Sequence, residues 1–318
     1  MGDQAHRRGG VTRVAVLLGG LGAERGVSMV SGAAAAKALR GEGYEVEEID
    51  VTPHLAAALG ECFGGRGPDV VFNALHGPYG EDGTVQGVLE IARLPYTHSG
   101  VLASALAMDK PMAKVVLRAA GLPVPDGLTL PVAGFDGSHP MTPPYVVKPV
   151  ADGSSFGVTI IERASDPGPK AALMTDSLFG GHALVEPFVP GRELTVACLN
   201  ERPLAVTDIV AASGFYDYAA KYDAGGSRHV VPADLPPEVT DACMDMASRA
   251  ARALGCRGLS RTDFRWDEAR GLKGLFILEV NTQPGLTPTS LAPEQAAHTG
   301  MDFGQLVRWM VEDASCPR

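Results

Sequence analysis

Short apolar runs separated by glycine-rich turns dominate the first third of the chain. Residues 14–18 form an unbroken apolar run that stops at Gly19 and Gly20. A run too short for a helix and bounded by glycines predicts a strand buried on both faces. Residues 27–39, rich in alanine, predict a helix, and 45–51 alternate as a second strand. Residues 69–75 predict a third buried strand, followed by a glycine-rich loop at 76–83 and a helix at 86–92. Strands alternating with helices predict a doubly wound parallel α/β unit ending near Ser104. A helix is expected over 105–120, with Pro111 near its start, and turns over 122–144. The pattern then changes. Strands are expected at 145–148, 158–162, 182–186, 193–199 and 204–210, which predicts antiparallel α+β structure. Pro237–Leu254 is patterned as a long amphipathic helix. Leu259–Trp266 and 275–280 read as strands joined by a charged turn, and 294–298 and 305–312 as closing helices. The expected organisation is an N-terminal doubly wound α/β domain over 1–104, a central subdomain over 105–187 and a C-terminal domain over 188–318.

Composition narrows the function classes. With 318 residues and 45% hydrophobic content, the chain can bury the cores of two or three domains. A net charge of −10 without a basic stripe argues against nucleic acid and anionic membranes as partners. No apolar run approaches the ~20 residues of a membrane span, and the polar first ten residues lack a signal core. The cysteines Cys62, Cys198, Cys243, Cys256 and Cys316 are odd in number and form no C-x-x-C pair. That fits a reducing cytoplasm and buried apolar thiols.

Several motifs carry chemistry. In Gly19-Gly20-Leu21-Gly22-Ala23-Glu24-Arg25, Arg25 stands where a dinucleotide-binding fingerprint needs its third glycine. Glu24 repels phosphate and suits an ammonium group, or else is a first-turn charge favoured by the helix dipole. Glu81 and Asp82, beside glycines at the carboxyl end of a buried strand, suit a cation or an amine, or cap a solvated turn. Lys148 emerges from a β-branched strand towards the Asp152–Gly157 loop, whose small residues either curl around phosphate or make a plain hairpin. Lys110 is considered with it. In the segment 186–193, Phe188 and Val189 offer apolar faces for an adenine ring and Glu193 an acceptor for ribose hydroxyls; the bland reading is a Pro/Gly hinge.

The strongest constellation is C-terminal. Alternation puts Arg261 and Asp263 on one face of a strand, and Glu279 and Asn281 on one face of the next. Two acids and an amide oxygen converging across paired strands form a hard oxygen site of the kind that Mg²⁺ bridging nucleotide phosphates requires. Left idle and buried, such a face is costly. Gly285, Ser290 and Leu291 follow in a loop returning to the same mouth.

The stretches LLGGLGAERGVS, ALHGPYGEDGTVQG, MDKPMAK, VVKPVADGSSFGV, FYDYAAKY, SRTDF and LEVNTQPGLTPTSLAPEQA together resemble the D-alanine–D-alanine ligases of the ATP-grasp superfamily, in that family's order and over nearly the whole chain. The resemblance implies a two-part ATP-grasp fold after the N-terminal domain. It implies that Glu24 holds the ammonium of the first D-alanine, with His76 and Glu81 shaping that subsite, and that Ser154 and Tyr222 join Glu24 in a hydrogen-bonded network. Lys110, Lys148 and Lys221 then contact phosphates of ATP, while Glu186, Phe188, Val189 and Glu193 receive adenosine. Asp263, Glu279 and Asn281 bind two Mg²⁺ or Mn²⁺ ions. Arg261 and the Gly285 N–H face an oxyanion, and Ser290 and Leu291 bind the second substrate. Residues 215–227 are the expected lid, similar to that of dipeptide-forming relatives rather than ester-forming ones. A homodimer is implied as well. Pro78-Tyr79 and Gln283 depart from the family's commoner residues without removing a reacting group. Another ATP-grasp ligase, a D-alanyl-D-lactate-forming relative or a nucleotide sensor is each an alternative.

Overall fold

The computed structural model describes residues 11–151, 153, 157–174, 179–211, 226–287 and 289–318. Strands β1 (Arg13–Leu18), β2 (Glu45–Asp50) and β3 (Val70–Asn73) form a parallel sheet in the order β2-β1-β3. The central apolar run divides by parity, as a strand must. Val14 and Val16 pack towards helix α1 (Arg25–Gly41) and the C-terminal helices, through Ala35, Leu39, Val307 and Met310. Ala15 and Leu17 face the opposite layer, with Leu55, Leu59, Leu89 and Tyr96. That layer comprises α2 (Leu55–Gly65) and α3 (Thr84–Ala92). The α/β expectation holds. Helix α2 is absent from the elements the pattern predicts; it is glycine-rich and breaks at Cys62–Gly64.

The single helix expected over 105–120 is two helices, α4 (Val101–Met108) and α5 (Lys110–Ala119). Asp109 takes an extended conformation between them, and its carboxylate accepts from the Met112 N–H at 3.0 Å. A side-chain cap followed by Pro111 starts a new helix where continuous amphipathicity suggests none. Lys110 thereby becomes the first residue of α5 and Lys114 lies one turn on.

Two antiparallel sheets follow. The first, in the order β4-β7-β5-β6, contains β4 (Leu128–Pro131), β5 (Tyr145–Pro149), β6 (Thr159–Ile161) and β7 (His182–Pro187). The second, in the order β10-β9-β8-β11-β12, contains β8 (Arg192–Leu199), β9 (Arg202–Ala211), β10 (Ser227–Val230), β11 (Leu259–Trp266) and β12 (Leu275–Asn281). Helix α6 (Pro237–Leu254) buries Val239, Cys243, Met246, Ala250 and Leu254 against this sheet and stops at Gly255, whose φ of 73° suits glycine. Burial pushes the thiols of Cys198, Cys243 and Cys256 up to about 12, which leaves them protonated and inert. Helix α7 (Leu291–His298) is fixed to the sheet by Gln295, which donates to the Thr195 carbonyl and Thr207 Oγ1 and accepts from the Ala197 N–H. Helix α8 (Phe303–Asp313) opens with a capping box between Asp302 and Gln305. No helix among the described residues is long and apolar enough to cross a membrane.

Candidate active site

Strands β11 and β12 pair so that Arg261 stands opposite Asn281 and Asp263 opposite Glu279. The expected convergence is therefore a cross-strand fact. A β-bulge follows at once, because Phe264 pairs with Ile277 and leaves Leu278 as the extra residue. A bulge turns a side chain that alternation would send to the far face. Here Leu278 and Glu279 both line the same cleft, giving it an apolar patch next to an acid.

Asp263 is fully engaged. Both its oxygens accept from Arg261, through Nε and Nη2 at 2.8 Å each. Thr195 Oγ1 donates at 2.6 Å and Asn281 Nδ2 at 2.9 Å. Asn281 thus turns its amide nitrogen towards Asp263. Glu279 meets the Lys110 ammonium at 3.4 Å. Among the described residues, no group of three or more His, Cys, Asp or Glu could hold a metal. Mg²⁺ is usually held through one or two carboxylates plus substrate phosphates and waters. Two acids and an amide therefore fit an ion that arrives with a nucleotide better than one held permanently.

The facing wall comes from α5, β5 and β7. Glu186 is 3% exposed and lies between two lysines, Lys148 at 2.6 Å and Lys114 in closer contact. Burial pulls Lys148 down to about 8. Burial, with the Lys148 charge alongside, pulls Lys114 further, to about 5. The Glu279 carboxylate opposes the downward pull on both lysines, and Lys114, at about 5, is a neutral amine at pH 7. Lys114 is absent from the expected site; its signal in the sequence is a second lysine four residues after Lys110 on one helix face.

Beyond β7, the ring of Phe188 lies under the Arg265 guanidinium at 5.4 Å. Arg265 Nε donates to the Val189 carbonyl at 3.1 Å, and its Nη1 lies 3.4 Å from Glu193. Arg265 therefore organises three of the four residues that the family resemblance assigns to adenosine, Phe188, Val189 and Glu193. It too is absent from the expected site, although it continues the Arg261, Asp263, Arg265 alternation along β11. Phe188, Val189, Glu193, Glu186, Lys148, Lys110, Leu278 and Glu279 line one cleft between the two antiparallel sheets.

A second cavity adjoins it. Glu24, at the N-terminus of α1, is 5% exposed and makes no capping hydrogen bond. A Cβ on Gly77, whose φ is +70°, would sit 2.6 Å from a Glu24 carboxylate oxygen, and one on Gly153 would sit 3.0 Å away. Glycine at both positions lets backbone close over this acid. His76 bridges Glu81 and Ser31, with 3.1 Å to each. Opposite lie Gly285 and Ser290; Ser290 Oγ accepts from the Thr287 N–H at 2.9 Å. The cavity brings together Glu24, His76, Glu81, Arg261, Gly285, Ser290 and Leu291. It shares Gly153, Arg261, Glu279 and Leu291 with the cleft. Ser154, Lys221 and Tyr222, and the expected lid up to residue 225, lie outside the described residues.

Two antiparallel sheets gripping a cleft of lysines, acids and apolar faces define the ATP-grasp class. The solved D-alanine–D-alanine ligase of Bacillus anthracis, complexed with ATP, matches with a TM-score of 0.76 at 28% identity, over 96% of this chain and 97% of that one. A further structure of the B. anthracis ligase matches at 30% identity and the same TM-score, over 95% and 97%. The family model for the D-ala D-ala ligase C-terminus matches residues 116–312, and that for the N-terminus residues 61–99. A D-alanine–D-alanine ligase of Cereibacter sphaeroides is 60% identical over 307 residues, covering 96% of this chain and 97% of its own. That of Ruegeria pomeroyi is 60% identical over 306 residues, covering 96% and 97%. The chain belongs to the D-alanine–D-alanine ligase family.

Proposed function

We propose that the chain uses ATP to join two D-alanine molecules into D-alanyl-D-alanine through an acyl phosphate, for peptidoglycan precursor synthesis. The observation that carries this reading is the continuity of the two cavities at Arg261 and Glu279. An ammonium-binding acid thereby lies in a chamber that opens onto a lysine-rich cleft.

A carboxylate is a poor electrophile, so a carboxylate oxygen of the first D-alanine attacks the γ-phosphorus and ADP leaves. Glu24 holds the ammonium of that substrate, with His76 and Glu81 behind it. Lys110 and Lys148 offset phosphate charge, while Glu186, Phe188, Val189 and Glu193 receive adenosine. The amine of the second D-alanine, held at Ser290 and Leu291, then attacks the acyl carbon and loses its proton. Arg261 and the Gly285 N–H face the oxyanion. Inorganic phosphate leaves and the peptide bond remains. Asp263, Glu279 and Asn281 would hold Mg²⁺ or Mn²⁺, in two ions, which supply charge neutralisation at the phosphates. Ser154, Lys221 and Tyr222 complete the reading as lid and network residues. The three sheets support a division at about 104 and 187, and the family resemblance supports a cytoplasmic homodimer.

The experiment is isotopic. D-alanine labelled with ¹⁸O in its carboxylate should deliver one ¹⁸O to each inorganic phosphate formed. Unlabelled phosphate alongside dipeptide product excludes the acyl phosphate.

Lys148 gives this reading a pH dependence. Its ammonium, held at about 8 by burial, is charged below that pH and mostly neutral above it. Nucleotide phosphates favour the charged form. ATP binding should therefore take up part of a proton at pH 8.5, take up almost none at pH 6.5, and weaken as pH rises from 7 to 9. Calorimetry in two buffers of different ionisation enthalpy reads the uptake directly; identical heats at pH 8.5 would count against the assignment of Lys148 to the phosphates.

A further inference from the structure

Where Gln283 enters the wall of the substrate chamber, it belongs to a buried amide network that the reaction steps above do not use. Asn73, the last residue of β3, is fully buried, and Gln283, two residues after β12, is 2% exposed. They lie 210 residues apart in sequence, yet Asn73 Nδ2 donates to Gln283 Oε1 at 2.7 Å. Asn73 Nδ2 also donates to the Gly80 carbonyl at 3.0 Å, and its Oδ1 accepts from the Leu75 N–H at 3.2 Å. Gln283 Nε2 donates to the Leu75 carbonyl. Gln86 Nε2 adds a second donor to the Gly80 carbonyl at 2.9 Å. Leu75 and Gly80 bracket the loop that presents His76, Gly77 and, one residue further, Glu81. Gln283 begins the loop that presents Gly285 and Ser290.

Two buried primary amides are costly unless their hydrogen bonds are made, and cheap apolar packing could have filled the same space. What amides add is direction. Apolar contacts tolerate a sliding interface, whereas a chain of donors and acceptors fixes one register between the loops. Register matters here because the reaction is divided between them. The acyl phosphate forms beside Glu24, and the second amine and the oxyanion donors approach from the loop after β12. A misplacement of about 1 Å between reacting groups can lower a rate by ~10²-fold.

We infer that Gln283 is a positioning residue: by joining the loop after β12 to Asn73 and Leu75, it sets where the acyl carbon meets its amine nucleophile. This inference rests on the ligase reading above. Its consequence is a branching ratio. The acyl phosphate has two fates. Attack by the second D-alanine forms the C–N bond, breaks the C–O bond and releases phosphate and a proton. Attack by water breaks the same bond, regenerates D-alanine and releases phosphate, so the net reaction is ATP hydrolysis. A well-registered loop yields one phosphate per dipeptide. A loosened one leaks.

The test is to measure phosphate and dipeptide together in the full chain and in Gln283→Met, which keeps the length of the side chain but loses both hydrogen bonds. Gln283→Asn, which keeps the amide one methylene short, is measured alongside and carries the test if the Met variant does not fold. Expected are a roughly 10- to 100-fold fall in dipeptide formation for Gln283→Met, a phosphate-to-dipeptide ratio well above one, an intermediate ratio for Gln283→Asn, and unchanged affinity for ATP alone. A purely structural role lowers melting temperature and both products in proportion. A ratio of one in both variants, with the unsubstituted chain active, overturns the role of Gln283. Failure of the unsubstituted chain to make dipeptide overturns the ligase reading itself.

Discussion

Asp263→Asn should lower turnover by about 10²–10³-fold, the equivalent of several kcal/mol of charge stabilisation. The substitution preserves shape, so its effect must come from charge and hydrogen-bond polarity. Asp263 accepts four hydrogen bonds, two from Arg261 and one each from Thr195 and Asn281. An amide replaces one acceptor oxygen with a donor, and that donor faces groups that are themselves donors. If Asp263 holds the metal as proposed, the variant loses a ligand of full charge, and in either case it releases the Arg261 guanidinium from its anchor. Glu279→Gln should fall by a similar factor through the metal term, with the Lys110 contact at 3.4 Å weakened as well. Steady-state rates titrated against Mg²⁺, with binding of a non-hydrolysable ATP analogue measured in parallel without metal, separate the effects. Wild-type turnover by either variant at limiting Mg²⁺ would sink the metal assignment.

Glu24→Gln should raise the D-alanine concentration needed for half-maximal rate by about 10- to 150-fold, since a hydrogen bond to a charged group is worth about 1.5–3 kcal/mol. The competing account makes Glu24 a helix-terminus charge. At 5% exposure, without a capping bond, and closed over by Gly77 and Gly153, the carboxylate is built into the chamber. A dipole role would contribute about 0.3–1 kcal/mol to stability and would not single out one substrate. The discriminating quantities are the D-alanine half-saturation at high ATP and the affinity for the ATP analogue. Equal losses in both would make Glu24 structural.

Much of this site was legible in the sequence because its residues lie on strongly patterned elements. Leu259–Trp266 and Pro237–Leu254 have the bounds that alternation and amphipathicity predict. On such elements Arg261, Asp263 and Asn281 could be placed by parity alone. What failed has physical causes. Parity sends Leu278 away from Glu279, and only the bulge beside Asp263 brings both to the cleft. The edge strands β4 and β10, four residues each and without a fully buried position, lack a face buried enough to pattern. The break at Asp109 depends on a cap bond that hydrophobicity does not record. Lys114 and Arg265 carry no motif of their own because their roles lie in what they hold, Glu186 for one and Phe188, Val189 and Glu193 for the other. The Asn73–Gln283 link joins positions too far apart in sequence for any local pattern to pair them.

The measurement that bears most directly on the account is phosphate release and dipeptide formation with ATP and Mg²⁺ across a panel of D- and L-amino acids that includes D-lactate in competition. The chamber holds Glu24, the acid proposed for the first ammonium, and the loop at 215–222 resembles that of dipeptide-forming relatives. D-alanine should therefore give D-alanyl-D-alanine with one phosphate per dipeptide, L-alanine should give neither, and D-lactate should not displace the second D-alanine at neutral pH. Predominant ester, phosphate release driven equally well by L-amino acids, or no product from D-alanine would contradict it.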